Sequence, residues 1–144
     1  MDVFHHEDTK ARRVIYRGSL PDRFEDVGRE IVDSAFRVHT ALGPGLLESV
    51  YATCMDHDLR RKGLVVEKQV PIPIVFDTLR IESGLRLDLM IEKIIVVEVK
   101  SVERMIPVYQ AQLLSYLKLA NLRLGFLINF NVPQIREGVR RYAL

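Results

Sequence analysis

Cysteine occurs once in the 144 residues, at Cys54, so no disulfide can close within the chain. No apolar run approaches the roughly 20 residues of a membrane helix, which argues against a membrane partner. Residues Met1 to Asp8 lack the basic-then-apolar layout of a signal peptide, and a cytoplasmic protein is the expectation. There is no glycine-rich phosphate loop and no arrangement of Ser or Cys with His that would mark a nucleophile, so a small-molecule enzyme is disfavoured. Repeats and low-complexity segments are also missing. Neither sign of charge dominates, with a net charge of +2 and a pI near 8.8. That balance permits an anionic partner without requiring one, since dedicated duplex binders usually carry a stronger basic stripe.

With 48% hydrophobic residues, the chain can bury roughly two thirds of its unfolded surface in one core. We expect a poorly ordered arm over 1–20 and a single domain over 21–144. The arm carries Arg12, Arg13 and Arg17 as a small basic patch, while the adjacent His5 and His6, with no cysteine nearby, read as solvated tail.

Phe24, Val27, Ile31, Ala35, Val38 and Leu42 recur at spacings of three and four, predicting an amphipathic first helix with Asp22 as its cap. His39 near its end reads as a core or dipole-complementing histidine. Gly43-Pro44-Gly45 stops the helix, and a second is expected from about Leu46, sending Leu47, Val50, Cys54 and Leu59 to the core. Glu48 falls in its first turn, where the helix dipole favours a carboxylate, with Tyr51 and Met55 on the same face. A simple capping acid is the plain alternative for Glu48. Arg60-Arg61-Lys62-Gly63 close the helix.

Val65 to Phe76 reads as a strand that Pro71 and Pro73 place at a sheet edge or an irregularity, and Arg80 to Ile91 as a second strand. Pro107 suits the first position of a third helix reaching about Ala120, with Tyr109, Gln112 and Tyr116 on one stripe and Gln110, Leu114 and Leu117 on another. Leu122 to Phe130 suits a fourth strand, joined to the third by a right-handed parallel crossover, and 135–144 a short edge strand.

The informative stretch is 84–100. Two apolar runs flank Glu92-Lys93 and read as an antiparallel hairpin, the second apolar on both faces and therefore central. Glu98 and Lys100 end that strand on one face. A two-residue turn would set Asp88 opposite Val97, whereas an odd loop such as Glu92-Lys93-Ile94 sets it opposite Glu98. We expect the odd loop, which gathers two carboxylates and one ammonium. Such a group binds a hard divalent cation and acts on a phosphate. The spacing alone recurs by chance on the order of once per chain, and a solvated strand end is the alternative.

The order αβββαβ, with Asp88 on one strand and Glu98-Val99-Lys100 on the next, resembles the PD-(D/E)XK nuclease superfamily. Gly45-Leu46-Leu47-Glu48-Ser49-Val50-Tyr51 is similar to the signature of the bacterial GxxExxY protein family within it. Gln112-Leu113-Leu114-Ser115-Tyr116 looks like the Gln-x-x-x-Tyr motif of its RecB-type branch. The resemblance covers about Phe24 to Tyr142, and Leu87 stands where the superfamily's name has proline.

That resemblance implies an α/β, restriction-endonuclease-like αβββαβ core, a mixed central sheet flanked by helices, with an additional N-terminal helix. It implies Mg²⁺ or Mn²⁺ held by Glu48, Asp88, Glu98 and the Val99 carbonyl. Like charges about 4 Å apart cost about 4 kcal/mol per pair at an effective dielectric near 20, so converging carboxylates need a cation. Asp88, Glu98, Lys100, Gln112 and Tyr116 would be the catalytic set, with Arg86 and Tyr51 contacting nucleic acid. The implied activity is metal-dependent phosphodiester hydrolysis, on DNA ahead of RNA, with little sequence specificity and affinity that falls with salt. A catalytically silent nuclease-fold module binding nucleic acid or protein is the alternative. A homodimer through the C-terminal edge is left open.

Overall fold

The computed structural model describes residues 20–144. The arm expected over 1–20, with its two histidines and three arginines, lies outside the described residues apart from Leu20, which is buried in the core. In chain order the elements are α1 (Asp22–Leu42), α2 (Glu48–Arg61), β1 (Val66–Phe76), β2 (Leu79–Ile91), β3 (Ile95–Lys100), α3 (Pro107–Ala120), β4 (Leu124–Asn129), a 3₁₀ turn (Ile135–Glu137) and β5 (Val139–Ala143). This is the expected αβββαβ order, preceded by one helix and followed by one strand.

The strands form one mixed sheet in the order β1-β2-β3-β4-β5. Only β3 and β4 run parallel, joined through α3, and β5 closes the far edge antiparallel to β4. One layer packs Val27, Ile31, Val32 and Ala35 of α1 and Tyr51, Met55 and Leu59 of α2 against Ile95, Val97, Phe126 and Ile128. The other packs Leu113 and Leu117 of α3 against Leu87, Val96 and Leu127. On that side α3 lies close to β4: a β-carbon at Gly125 would come 3.0 Å from Leu113 Cδ1.

Two local expectations are corrected. Asp22 is the first helical residue of α1 and makes no capping bond; Pro21 holds the cap position. The second helix begins at Glu48, and its inward residues are Tyr51, Ala52, Met55 and Leu59, while Leu47 and Val50 are exposed and Cys54 is half-buried. The inward stripe lies one position further along the helix than expected, Tyr51 and Met55 standing in place of Val50 and Cys54, with Leu59 common to both. The third helix, for which two stripes are expected without a choice of inward face, buries Leu113 and Leu117 and leaves Gln110 exposed.

Pro71 and Pro73 do lie on an edge strand, and the register between β1 and β2 shifts between Ile72 and Ile74. A second irregularity matters more. Strict alternation would put Leu85, Leu87, Leu89 and Ile91 on one face. Instead Leu85 and Leu87 pack beneath α3, and Leu89 and Ile91 pack beneath α1 and α2. On β1 Val66 sides with α1 and α2, and Val70 and Ile72 with α3. The change of face falls at Asp88, across from Gln69, whose φ is 51°. Regular pairing runs Lys68↔Leu89 and then Val70↔Leu87, passing over the Gln69/Asp88 position. Both strands therefore turn over at Asp88, the kind of local defect that re-aims a side chain.

Candidate active site

Glu92, Lys93 and Ile94 form the three-residue loop between β2 and β3. Glu92 and Lys93 take left-handed backbone at φ 54° and 59°, a conformation usually given to Asn or Gly. Local contacts hold it there: Glu92 N–H donates to Val65 O at 2.8 Å, Val65 N–H donates to Glu92 Oε2 at 2.6 Å, and Arg23 bonds Oε1 at 2.9 Å. Pairing then runs Ile91↔Ile95, Met90↔Val96 and Leu89↔Val97. One step further sets Asp88 opposite Glu98.

At that step side chains replace the regular ladder. Asp88 N–H donates to Glu98 Oε1 at 3.2 Å, and Val99 N–H donates to Asp88 Oδ2 at 2.9 Å. Each carboxylate thus takes a backbone donor of the opposite strand. Glu98 is only 5% exposed. Burial, then the neighbouring Asp88 carboxylate, push its pKa up to about 8, and Lys100 offsets only part of this. Lys100, half-buried, holds its Nζ 4.7 Å from the centre of the Tyr109 ring at the start of α3. The Tyr116 phenol, also on α3, is shifted upward by burial and then by Glu98 and Asp88, so it lies within electrostatic reach of the pair. Gln112 lies exposed one turn before Tyr116 on the same face of α3. Arg86, exposed on β2, reaches Gln69 O at 3.4 Å.

The cluster is braced from beneath. Lys100 O accepts from Phe130 N–H at 2.9 Å. The Phe130 ring stacks on Tyr51 with centroids 4.4 Å apart. Buried Asn129 holds the β3–α3 connection by accepting from Val102 N–H at 3.0 Å and donating to Val102 O at 2.9 Å. Ser101 Oγ donates to Leu46 O at 2.6 Å, tying that connection to the loop before α2. His39 is a core histidine, its Nε2 2.8 Å from Val132 O.

Residues 25–142 match the family model described as the PD-(D/E)XK nuclease superfamily. The chain belongs to that superfamily. Comparisons with curated proteins and with solved structures gave no match. The fold described above is accordingly restriction-endonuclease-like, with its N-terminal helix added. Nucleases of the superfamily generally use divalent metals and act on nucleic acid. Among the described residues no helix is long and apolar enough to cross a membrane.

One expected site residue is corrected in this nuclease-fold chain. Tyr51 is fully buried, and its hydroxyl donates to Gly43 O at 2.6 Å while accepting from Leu46 N–H at 3.0 Å. It has no surface to offer a nucleic acid and instead staples the glycine turn. Tyr51→Phe should cost about 1–2 kcal/mol of stability, read as a lowered Tm with an unchanged circular dichroism spectrum, because both loop partners lose their bond. Among the described residues no three His, Cys, Asp or Glu side chains are grouped, and the ligand role expected of Glu48 belongs to the proposed function. Glu48 is exposed on the first turn of α2, whose inward face is taken by Tyr51 and Met55. The bracing roles of Ser101, Asn129 and Phe130 had no sequence signal, and Tyr109, though on the recognised stripe, gave no hint that its ring would meet Lys100.

Proposed function

We propose that this protein is a divalent-metal-dependent nuclease that hydrolyses phosphodiester bonds, those of DNA ahead of RNA, with little sequence specificity. The observation that carries the reading is the meeting of Asp88 and Glu98 across β2 and β3, with Lys100 on the same face of β3. The donor set is all oxygen, it has an excess of negative charge, and one member is buried, which fits Mg²⁺ or Mn²⁺. Such ions need only one or two carboxylates and keep several waters. Asp88 and Glu98 would hold the ion, with the Val99 carbonyl as a neutral donor and Glu48, exposed on the first turn of α2, as the third carboxylate. When bound, it would lower the pKa of a water and polarise the phosphodiester.

This chain's residues do the rest. Lys100 places its side-chain nitrogen on the same strand face as Glu98, where it orients the attacking water or steadies charge developing on the phosphate. Tyr116 and Gln112 position the site from α3, and Arg86 contacts the backbone of the bound strand. The Gly45-to-Tyr51 segment supports membership of the GxxExxY family through its turn geometry, since Tyr51 closes the turn that begins at Gly43. The Gln112 and Tyr116 pair supports likeness to the RecB-type branch.

The test is cleavage of labelled single- and double-stranded DNA and RNA with Mg²⁺, Mn²⁺ or EDTA, beside Asp88→Asn. We expect DNA products that need the metal and disappear in the variant. Metal-independent products, or full activity in a folded Asp88→Asn protein, would overturn the reading. Calorimetric Mn²⁺ binding that requires Asp88, with no substrate cut, would leave the silent binding module.

A further inference from the structure

The loop before α2 presents apolar surface where a nucleic-acid site would ordinarily carry charge. A helix N-cap usually holds Ser, Thr, Asp or Asn. Here it holds Leu47, 73% exposed and making no capping bond, with Leu46 before it and Val50 one turn on also exposed. Nothing about the loop is loose. Tyr51 ties Gly43 O to Leu46 N–H, and Ser101 Oγ ties Leu46 O to the residue that follows Lys100. Phe130 links the two anchors, stacking on Tyr51 while its N–H donates to Lys100 O. Leu46 is therefore fixed one hydrogen bond from the chain segment that carries Lys100.

Other apolar side chains are exposed too, Phe76 and Val108 among them; what sets Leu46 and Leu47 apart is a loop held by hydrogen bonds to Tyr51 and to Ser101, the residue that follows Lys100. Phosphate contact does not explain them: no Lys or Arg occurs from Gly43 to Leu59, and Glu48 adds a negative charge. The part of a nucleic acid that suits a fixed leucine is the face of a base that has left its stack, the role apolar wedges play between base steps. Unpaired strands offer such bases without the cost of opening a duplex. Resting on the nuclease reading of the adjacent site, we propose that Leu46 and Leu47 seat an unstacked base of the strand lying across Asp88 and Glu98. The protein then selects unpaired nucleic acid over perfect duplex.

The experiment is fluorescence anisotropy with a labelled DNA strand of about 20 nucleotides, free or fully paired, with Ca²⁺ in place of Mg²⁺. Loss of one base contact corresponds to about tenfold in affinity. The wild type should bind the free strand about tenfold tighter than the duplex; Leu47→Ser should lose that tenfold on the free strand alone, and Leu47→Phe should keep it. Leu47 is exposed, so an unchanged circular dichroism spectrum is expected for both variants. Equal or tighter wild-type binding of duplex, no DNA binding at all, or an undiminished preference in Leu47→Ser overturns the proposal. So does sedimentation showing a dimer that Leu47→Ser dissociates with the preference intact, which would give this surface to a second copy. The readout needs no turnover, so failure of the nuclease reading is seen separately, as lack of metal-dependent cleavage that requires Asp88.

Discussion

Lys100→Ala should lower kcat for DNA cleavage by about 10²–10³-fold with little change in KM, the usual loss when one preorganised donor to developing charge is removed. The geometry makes a second, graded expectation possible. Lys100 Nζ lies 4.7 Å from the centre of the Tyr109 ring, and a partly desolvated cation over an aromatic face is worth about 0.5–2 kcal/mol. Tyr109 acts through Lys100 as a positioning residue. Tyr109→Leu should therefore cost about tenfold in kcat, and Tyr109→Phe, which keeps the ring, should restore most of it. In the Lys100→Ala background Tyr109→Leu should cost nothing more, because the contact is already gone. An equal further loss in the double variant would show that Tyr109 acts independently of Lys100.

How much of this was legible in the sequence follows from the range of each interaction. The odd loop could be anticipated because Glu98 and Lys100 end an otherwise apolar strand, and only one parity of loop brings Asp88 to them. The structure has that parity. The turnover of β1 and β2 at Asp88 could not be anticipated, since Leu85, Leu87, Leu89 and Ile91 alternate without a break. It coincides with the left-handed Gln69 on the partner strand, a long-range pairing that no local pattern reports. Helix α3 was anticipated over Pro107 to about Ala120 because Pro107 marks its start; the structure ends it at Ala120, where Asn121 takes the left-handed conformation. Helix α2 was read two residues early because Leu46 and Leu47 look like the opening of an apolar stripe. Their anchors, Tyr51 and Ser101, lie 5 and 55 residues away from Leu46 along the chain. Only the folded loop shows that these leucines face outward.

The metal-free protein should lose stability as pH rises from about 5 to about 8, and Glu98→Gln should remove most of that loss. The Glu98 pKa stands at about 8 in the folded protein against an ordinary value of 4.5, pushed up first by burial and then by Asp88. A carboxyl raised on folding makes the native state hold the extra proton between those two values. Its contribution is complete below about 4.5 and is lost as pH rises through about 8. At 1.36 kcal/mol per unit the span amounts to on the order of 5 kcal/mol, or roughly 15 °C in Tm for a chain of this size. Glutamine keeps an oxygen to accept the Asp88 N–H but cannot ionise. The variant should match the wild type within about 1 kcal/mol at pH 5 and exceed it by several kcal/mol at pH 9, in EDTA. Mg²⁺ or Mn²⁺ at about 100 times its Kd should return about 3 kcal/mol to the wild type at pH 8 and much less to Glu98→Gln. Thermal unfolding of both proteins from pH 5 to 9, with and without metal, reads all four quantities. Parallel pH curves for the two proteins would mean that Glu98 ionises freely, and that the Asp88–Glu98 contact does not hold a proton in the absence of a cation.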